Sequence, residues 1–68
     1  MQINITVNGE VTNSLDQTSL PQFLQQLGLN PHLVVVEHNK EILPRQYWES
    51  TKLANGDVLE IVTIVGGG

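Results

Sequence analysis

The sequence predicts an α+β fold: a mixed four- to five-stranded sheet with one main helix and a short helical turn. Three observations carry that reading. Apolar and polar residues alternate near both ends of the chain, a single stretch of helical periodicity lies between residues 18 and 29, and Asn-Gly pairs at Asn8-Gly9 and Asn55-Gly56 punctuate the strands.

The elements follow in chain order. Ile3, Ile5 and Val7 alternate with Asn4, Thr6 and Asn8, the period-2 pattern of a half-buried strand. Asn8-Gly9 predicts a type I′ turn, which needs positive φ at both central residues, and Val11 to Leu15 then return antiparallel. The turn is the whole expectation for Asn8-Gly9; no site is assigned there. In "TSLPQFLQQLGLN", Leu20, Phe23, Leu24 and Leu27 form one helical stripe. Ser19 and Gln22 have capping-box spacing, Pro21 falls in the tolerant first turn, and Gly28 is placed to end the helix with Leu29 folding back on Leu24.

"HLVVVEHN" is β-branched and too short for a helix, so it is expected as a buried strand. His38-Asn39-Lys40 then turns the chain into a short "EIL" strand, and Pro44 opens a single helical or 3₁₀ turn in "PRQYWES". Asn55-Gly56-Asp57 turns into the final strand. There, Leu59 and Ile61 are expected to face the helix, so Glu60, Val62 and Ile64 face the other way. Val62 and Ile64 then have two readings: an apolar docking surface on an open sheet face, or a central strand with two buried faces. The first and last strands are expected side by side in the middle of the sheet. A hairpin, a helix crossing the sheet, then further strands is the order of the β-grasp, or ubiquitin-like, architecture. The β-grasp domain is expected over residues 1–65, with a C-terminal glycine tail at 66–68.

Sixty-eight residues make one domain, of a size that buries only about 60% of the surface its unfolded chain exposes. There is no cysteine, so disulfides, thiolate metal ligands and thiol nucleophiles are all excluded. Seven acids against three bases give a formal charge of −4, which argues against nucleic acid and against an anionic membrane surface. It suits a protein partner with a basic face. No basic and apolar leader opens the chain, and "LVVV" is its longest unbroken apolar run, so a cytoplasmic location is the expectation.

Candidate reactive side chains are few. His32 and His38 flank the same strand at opposite ends, poor geometry for one metal, and are expected as surface imidazoles. The carboxylates of Glu37, Glu41, Glu49, Asp57 and Glu60 show no convergent spacing and read as solvated charge, with Asp57 bonding its own turn. Trp48 is expected in the core. Arg45 and Tyr47 stand between a packing role, with Arg45 paired to an acid, and a partner contact. No metal, bound cofactor or catalytic side chain is expected.

The chain ends Gly66-Gly67-Gly68. Without Cβ atoms such a tail fits a narrow channel, and extended it reaches roughly 10 Å beyond a domain. Its terminal carboxylate is ionised at neutral pH and can attack an activated phosphate. The plainer reading is a flexible end.

The features "MQI…VNGE", "SLPQFLQQLGL", "VVVEHNKEILPRQYWES" and "LANGDVLEIVTIVGGG" together resemble the ThiS family of thiamin-biosynthesis sulfur carriers, over essentially the full length. That resemblance implies that the chain is a carrier, not an enzyme. An adenylating enzyme using ATP and Mg²⁺ would activate the carboxylate of Gly68, and Gly66, Gly67 and Gly68 would enter its active site. Sulfur from a persulfide, supplied by a cysteine desulfurase or another sulfur-relay protein, would give a thiocarboxylate that thiazole synthase accepts. Val62, Ile64, Val65 and Arg45 would make the docking contacts. The alternatives are a carrier like the small subunit of molybdopterin synthase, a modifier joined to target lysines, and a ubiquitin-like interaction module with an inert tail.

Overall fold

The computed structural model describes residues 1–64. Five strands, β1 (Gln2–Val7), β2 (Glu10–Leu15), β3 (Val34–His38), β4 (Glu41–Ile42) and β5 (Val58–Thr63), form one sheet in the order β2-β1-β5-β3-β4. Only β1 and β5 run parallel; the other three pairings are antiparallel. The single helix α1 (Leu20–Gln26) lies across one face, and 3₁₀ turns occupy Pro31–Leu33 and Arg45–Tyr47. This is the β-grasp architecture, with the first and last strands adjacent as the element order requires.

Local chemistry explains the boundaries. Asn8 and Gly9 have φ of 49° and 87°, so the β1–β2 hairpin is closed by the predicted primed turn. Ser19 caps α1, and its reciprocal capping box with Gln22 is complete. Gly28, at φ 77°, donates to the Gln25 carbonyl, while the Leu29 amide donates back to Leu24 at 3.0 Å. These two bonds make the Schellman ending that a C′ glycine permits. One element was not foreseen: the 3₁₀ turn at Pro31–Leu33, where Asn30 Oδ1 accepts the His32 amide at 2.9 Å. It delays the start of β3 to Val34, two residues later than the apolar run suggested.

Alternation then builds the core. Ile3 and Ile5 of β1, Val34 and Val36 of β3, and Leu59 and Ile61 of β5 point to the face that α1 covers with Leu20, Phe23 and Leu24. Trp48 and Leu53 close the end of this core, Trp48 at 4% exposure with its indole N–H donating to the Leu43 carbonyl at 3.0 Å. The buried aromatic thus has both its ring and its polar atom satisfied.

The parallel β1–β5 ladder covers only Thr6↔Val58 and Val7↔Leu59. Beyond it a side chain takes over. Asn8 Oδ1 accepts the Ile61 amide at 2.7 Å and its Nδ2 donates to the Ile61 carbonyl at 3.1 Å. Asn8 is therefore more than a turn residue: the positive φ that makes the turn also turns its amide onto β5.

Candidate functional site

The face of the sheet away from α1 holds the candidate docking residues Val62 and Ile64. Along β5 it presents Val58, Glu60 and Val62, and Val62 is 63% exposed; Ile64, next in the same alternation, is 45% exposed. The reading of β5 as a strand buried on both faces is thereby excluded, and Val62 and Ile64 lie open. Strand pairing sets Val35 opposite Val62, extending the apolar area onto β3. One step along the same two strands, Glu37 stands opposite Glu60. On the open face the Glu37–Glu60 pair thus lies between the apolar Val35–Val62 pair and Val58 at the start of β5, with exposed Ile42 opposite Glu37 on β4.

Val65, Gly66, Gly67 and Gly68 lie outside the described residues, as does the expected boundary between domain and tail at 65/66. What the structure gives is the point from which they depart. The Ile64 amide donates to the Leu33 carbonyl, so β5 stays tied to the end of the Pro31–Leu33 turn beyond its last ladder pair, Thr63↔Val34.

Of the two readings of Arg45, a pairing with an acid is not found among the described residues. The Arg45 guanidinium donates to the carbonyl of Pro31 and, at 3.2 Å, to that of Val34, and lies 4.5 Å from the centroid of the Trp48 ring. Those carbonyls belong to a stretch that β4, two residues long, does not cover, so the planar fork of Arg45 serves where strand pairing ends. The neighbouring Tyr47 is half exposed. A shallow depression of about 200 Å³ lies here, with Val35, Ile42, Pro44, Arg45 and Trp48 in its wall.

The histidines separate as expected, but His38 is not a free surface imidazole. At the start of β5, far from Ile64, its Nε2 lies 3.0 Å from Asp57 Oδ2. Asp57 also accepts from the Ala54 amide at 2.9 Å and from Asn39 Nδ2 at 3.2 Å. Partial burial pushes the Asp57 carboxyl up, but the bonds from His38, Ala54 and Asn39, with the charge of His38, pull it down further, and its pKa ends below the usual carboxylate value. A separation of 19 positions hides the His38–Asp57 pair from the sequence; only the β3–β5 register brings them together. Asp57 does bond its own turn, as anticipated. Among the described residues no group of three or more His, Asp and Glu side chains could hold a metal, and no helix is long and apolar enough to cross a membrane.

The profile described as the ThiS family matches residues 2–68, the terminal glycines included. The chain belongs to the ThiS family. Its relatives include a protein of Bacillus subtilis named sulfur carrier protein ThiS, 35% identical over 65 residues that cover 94% of this chain and 98% of that one. A protein of Pyropia yezoensis named uncharacterized protein ycf40 is 44% identical, covering 97% and 93%. The crystal structure of a thiamine biosynthesis protein (ThiS) from Geobacter metallireducens superposes with a TM-score of 0.83 at 30% identity, covering 97% of this chain and all of that one. A different kind of relative is a Paramagnetospirillum magneticum protein named thiazole synthase. It is 35% identical over 66 residues, 97% of this chain but only 20% of that longer protein.

Proposed function

We propose that this chain is a sulfur carrier of thiamine biosynthesis and that its reactive group is the terminal carboxylate of Gly68. The observation that carries this reading is the ThiS-family match running through Gly68, on a domain whose apolar open face lies beside the departure point of the tail. The Bacillus relative's name points the same way.

The chemistry is carried out on the chain, not by it. An adenylating enzyme supplies ATP and Mg²⁺. The Gly68 carboxylate attacks the α-phosphorus, pyrophosphate leaves, and an acyl adenylate forms. A persulfide sulfur, drawn from a cysteine desulfurase or another relay protein, then attacks the acyl carbon and AMP leaves. Reduction of the resulting acyl disulfide by a thiol leaves the thiocarboxylate, which donates its sulfur to thiazole synthase. That two bacterial proteins named thiazole synthase contain a segment like this whole chain supports the last partner. Gly66 and Gly67 offer no Cβ to obstruct entry into a narrow active site.

Docking falls to Val62 and Ile64, with Val65 following them in the chain. Glu37 and Glu60 beside them favour a partner whose contact surface is basic around an apolar centre. The test is ATP–pyrophosphate exchange with the adenylating enzyme. Exchange should require Gly68 and fail for Gly67→Val, while both variants melt within about 2 °C of the parent, since both changes fall after β5 in the chain. Exchange that persists without Gly68 rules the reading out.

A further inference from the structure

The two edges of the sheet differ. The β4 edge is two residues long, and Arg45 takes two carbonyls of the stretch that β4 leaves uncovered. The β2 edge runs six residues, Glu10–Leu15, in unbroken register with β1. It carries none of the lysines, prolines or bulges by which natural edge strands discourage pairing. Val11 and Leu15 stand on it 70% and 57% exposed. The hairpin decides which backbone groups face outward. Across its two-residue turn Val7 and Glu10 form a hydrogen-bonded pair, so Ile5↔Thr12 and Ile3↔Ser14 do likewise. The Asp16 amide, donating to the Met1 carbonyl at 2.9 Å, continues the same phase. The N–H and C=O groups of Val11, Asn13 and Leu15 therefore point away from β1. The Leu15 carbonyl is already taken by the Thr18 hydroxyl at 2.6 Å. Val11 and Asn13 keep both groups free of any partner among the described residues.

We propose that β2 pairs antiparallel with β2 of a second copy of this chain, about a two-fold axis through Thr12. Opposite residues in such a pair share a face of the sheet, so only a few registers are open. Centred on Thr12, Val11 meets Asn13 of the second copy and Asn13 meets its Val11. Each of these pairs exchanges both N–H to C=O bonds, which satisfies every free group of the two residues and asks nothing of the Leu15 carbonyl. Thr12 meets its own symmetry mate in a close pair without backbone bonds, a favourable Thr–Thr contact, and Glu10 meets Ser14. Centred on Asn13, Glu10 would face Asp16 twice, like charge against like. Centred on Val11, Asn13 would face the turn residue Gly9. The middle of the seam is neutral, with Val11, Thr12 and Asn13 from each chain, and this favours a second copy over a charged strand. The two five-stranded sheets become one, with both helices on one face and both open faces on the other. A seam of backbone bonds with little apolar area gives a weak, concentration-dependent dimer.

The chain has no cysteine, so single introduced cysteines read the register. Residues opposed in a pair without backbone bonds have Cα atoms about 4.5 Å apart, within disulfide reach. Under mild oxidation Thr12→Cys should therefore form a disulfide dimer about tenfold faster than Asn13→Cys, whose symmetry mate lies a diagonal step away. Equal rates would mean random collision, and faster closure at Asn13→Cys would move the axis; either result overturns the proposal. Sedimentation equilibrium of the parent should show the mass rising from one chain towards two with concentration. Added salt should strengthen this association, because each chain carries a charge of −4 and the repulsion is screened. Val11→Lys lowers that repulsion but puts a lysine on the edge, and should weaken association at least about threefold. Association that Val11→Lys leaves unchanged or strengthens, or that salt weakens, belongs to another surface and overturns the proposal. So does a parent that stays monomeric up to about 1 mM. The parent measurement needs no variant, and it decides the matter even where a substitution prevents folding.

Discussion

Glu37 and Glu60 stand directly opposite each other across β3 and β5, on the sheet face that α1 leaves uncovered. Like charges in such a pair work against the fold. Beside them Val35 and Val62 form an apolar pair in the same two strands. A surface that combines exposed apolar area with mutual repulsion is costly in the free protein and suited to being covered by basic groups.

Glu60→Gln should therefore separate stability from binding. Relief of the pair should raise Tm by about 1–3 °C. The same change should weaken binding to the adenylating enzyme about threefold at low salt, and less at high salt, because exposed charge pairs are screened. Calorimetric melting and titration at two ionic strengths measure both effects. A fall in Tm would show that Glu60 is engaged favourably.

Val62→Asp and Ile64→Asp should each raise the dissociation constant for that enzyme at least about tenfold, while stability changes by less than about 1 kcal/mol, since both side chains lie open to solvent. Loss of folding in either variant, seen by circular dichroism, would place that side chain in the core instead.

The fate of these strands shows how far the sequence reaches. Period-2 alternation identified Ile3, Ile5, Leu59 and Ile61 as inward, and the capping box and Gly28 marked both ends of α1, because each of these signals is local. Whether the second face of β5 is open depends on what else packs there, which no local pattern contains. The same limit hid the His38–Asp57 pair, the Asn8 bridge to Ile61 and the Arg45 clamp, all made between residues 11 to 53 positions apart. An arginine in a charged sequence invites an acidic partner, yet here unpaired carbonyls claim it.

Asn8 should be a stability determinant in its own right. Asn8→Ala meets a positive φ and loses two bonds to Ile61, a cost of about 2–3 kcal/mol. Asn8→Gly keeps the backbone and loses only the bonds, about 1–2 kcal/mol. Urea denaturation of both variants checks this. Equal cost for both would mean that the side-chain bridge, not backbone strain, sets the whole effect.

Acid sensitivity should trace to Asp57. Its folded pKa lies below the ordinary value near 3.8, so its contribution is fully present above that value and is lost as pH falls through the lowered one. Asp57→Asn should flatten this acid limb of the stability curve and leave its remainder in shape. Chemical denaturation from pH 2 to 6 measures it, and an unchanged acid limb would remove Asp57 from the account.

Intact-mass spectrometry of the protein incubated with the adenylating enzyme, ATP and a sulfur source tests the central claim most directly. The carrier account predicts a gain equal to one sulfur replacing one oxygen, mapped to Gly68 by fragmentation and absent from the protein lacking Gly68. An unchanged mass under conditions where the enzyme modifies a carrier known to be competent would contradict it.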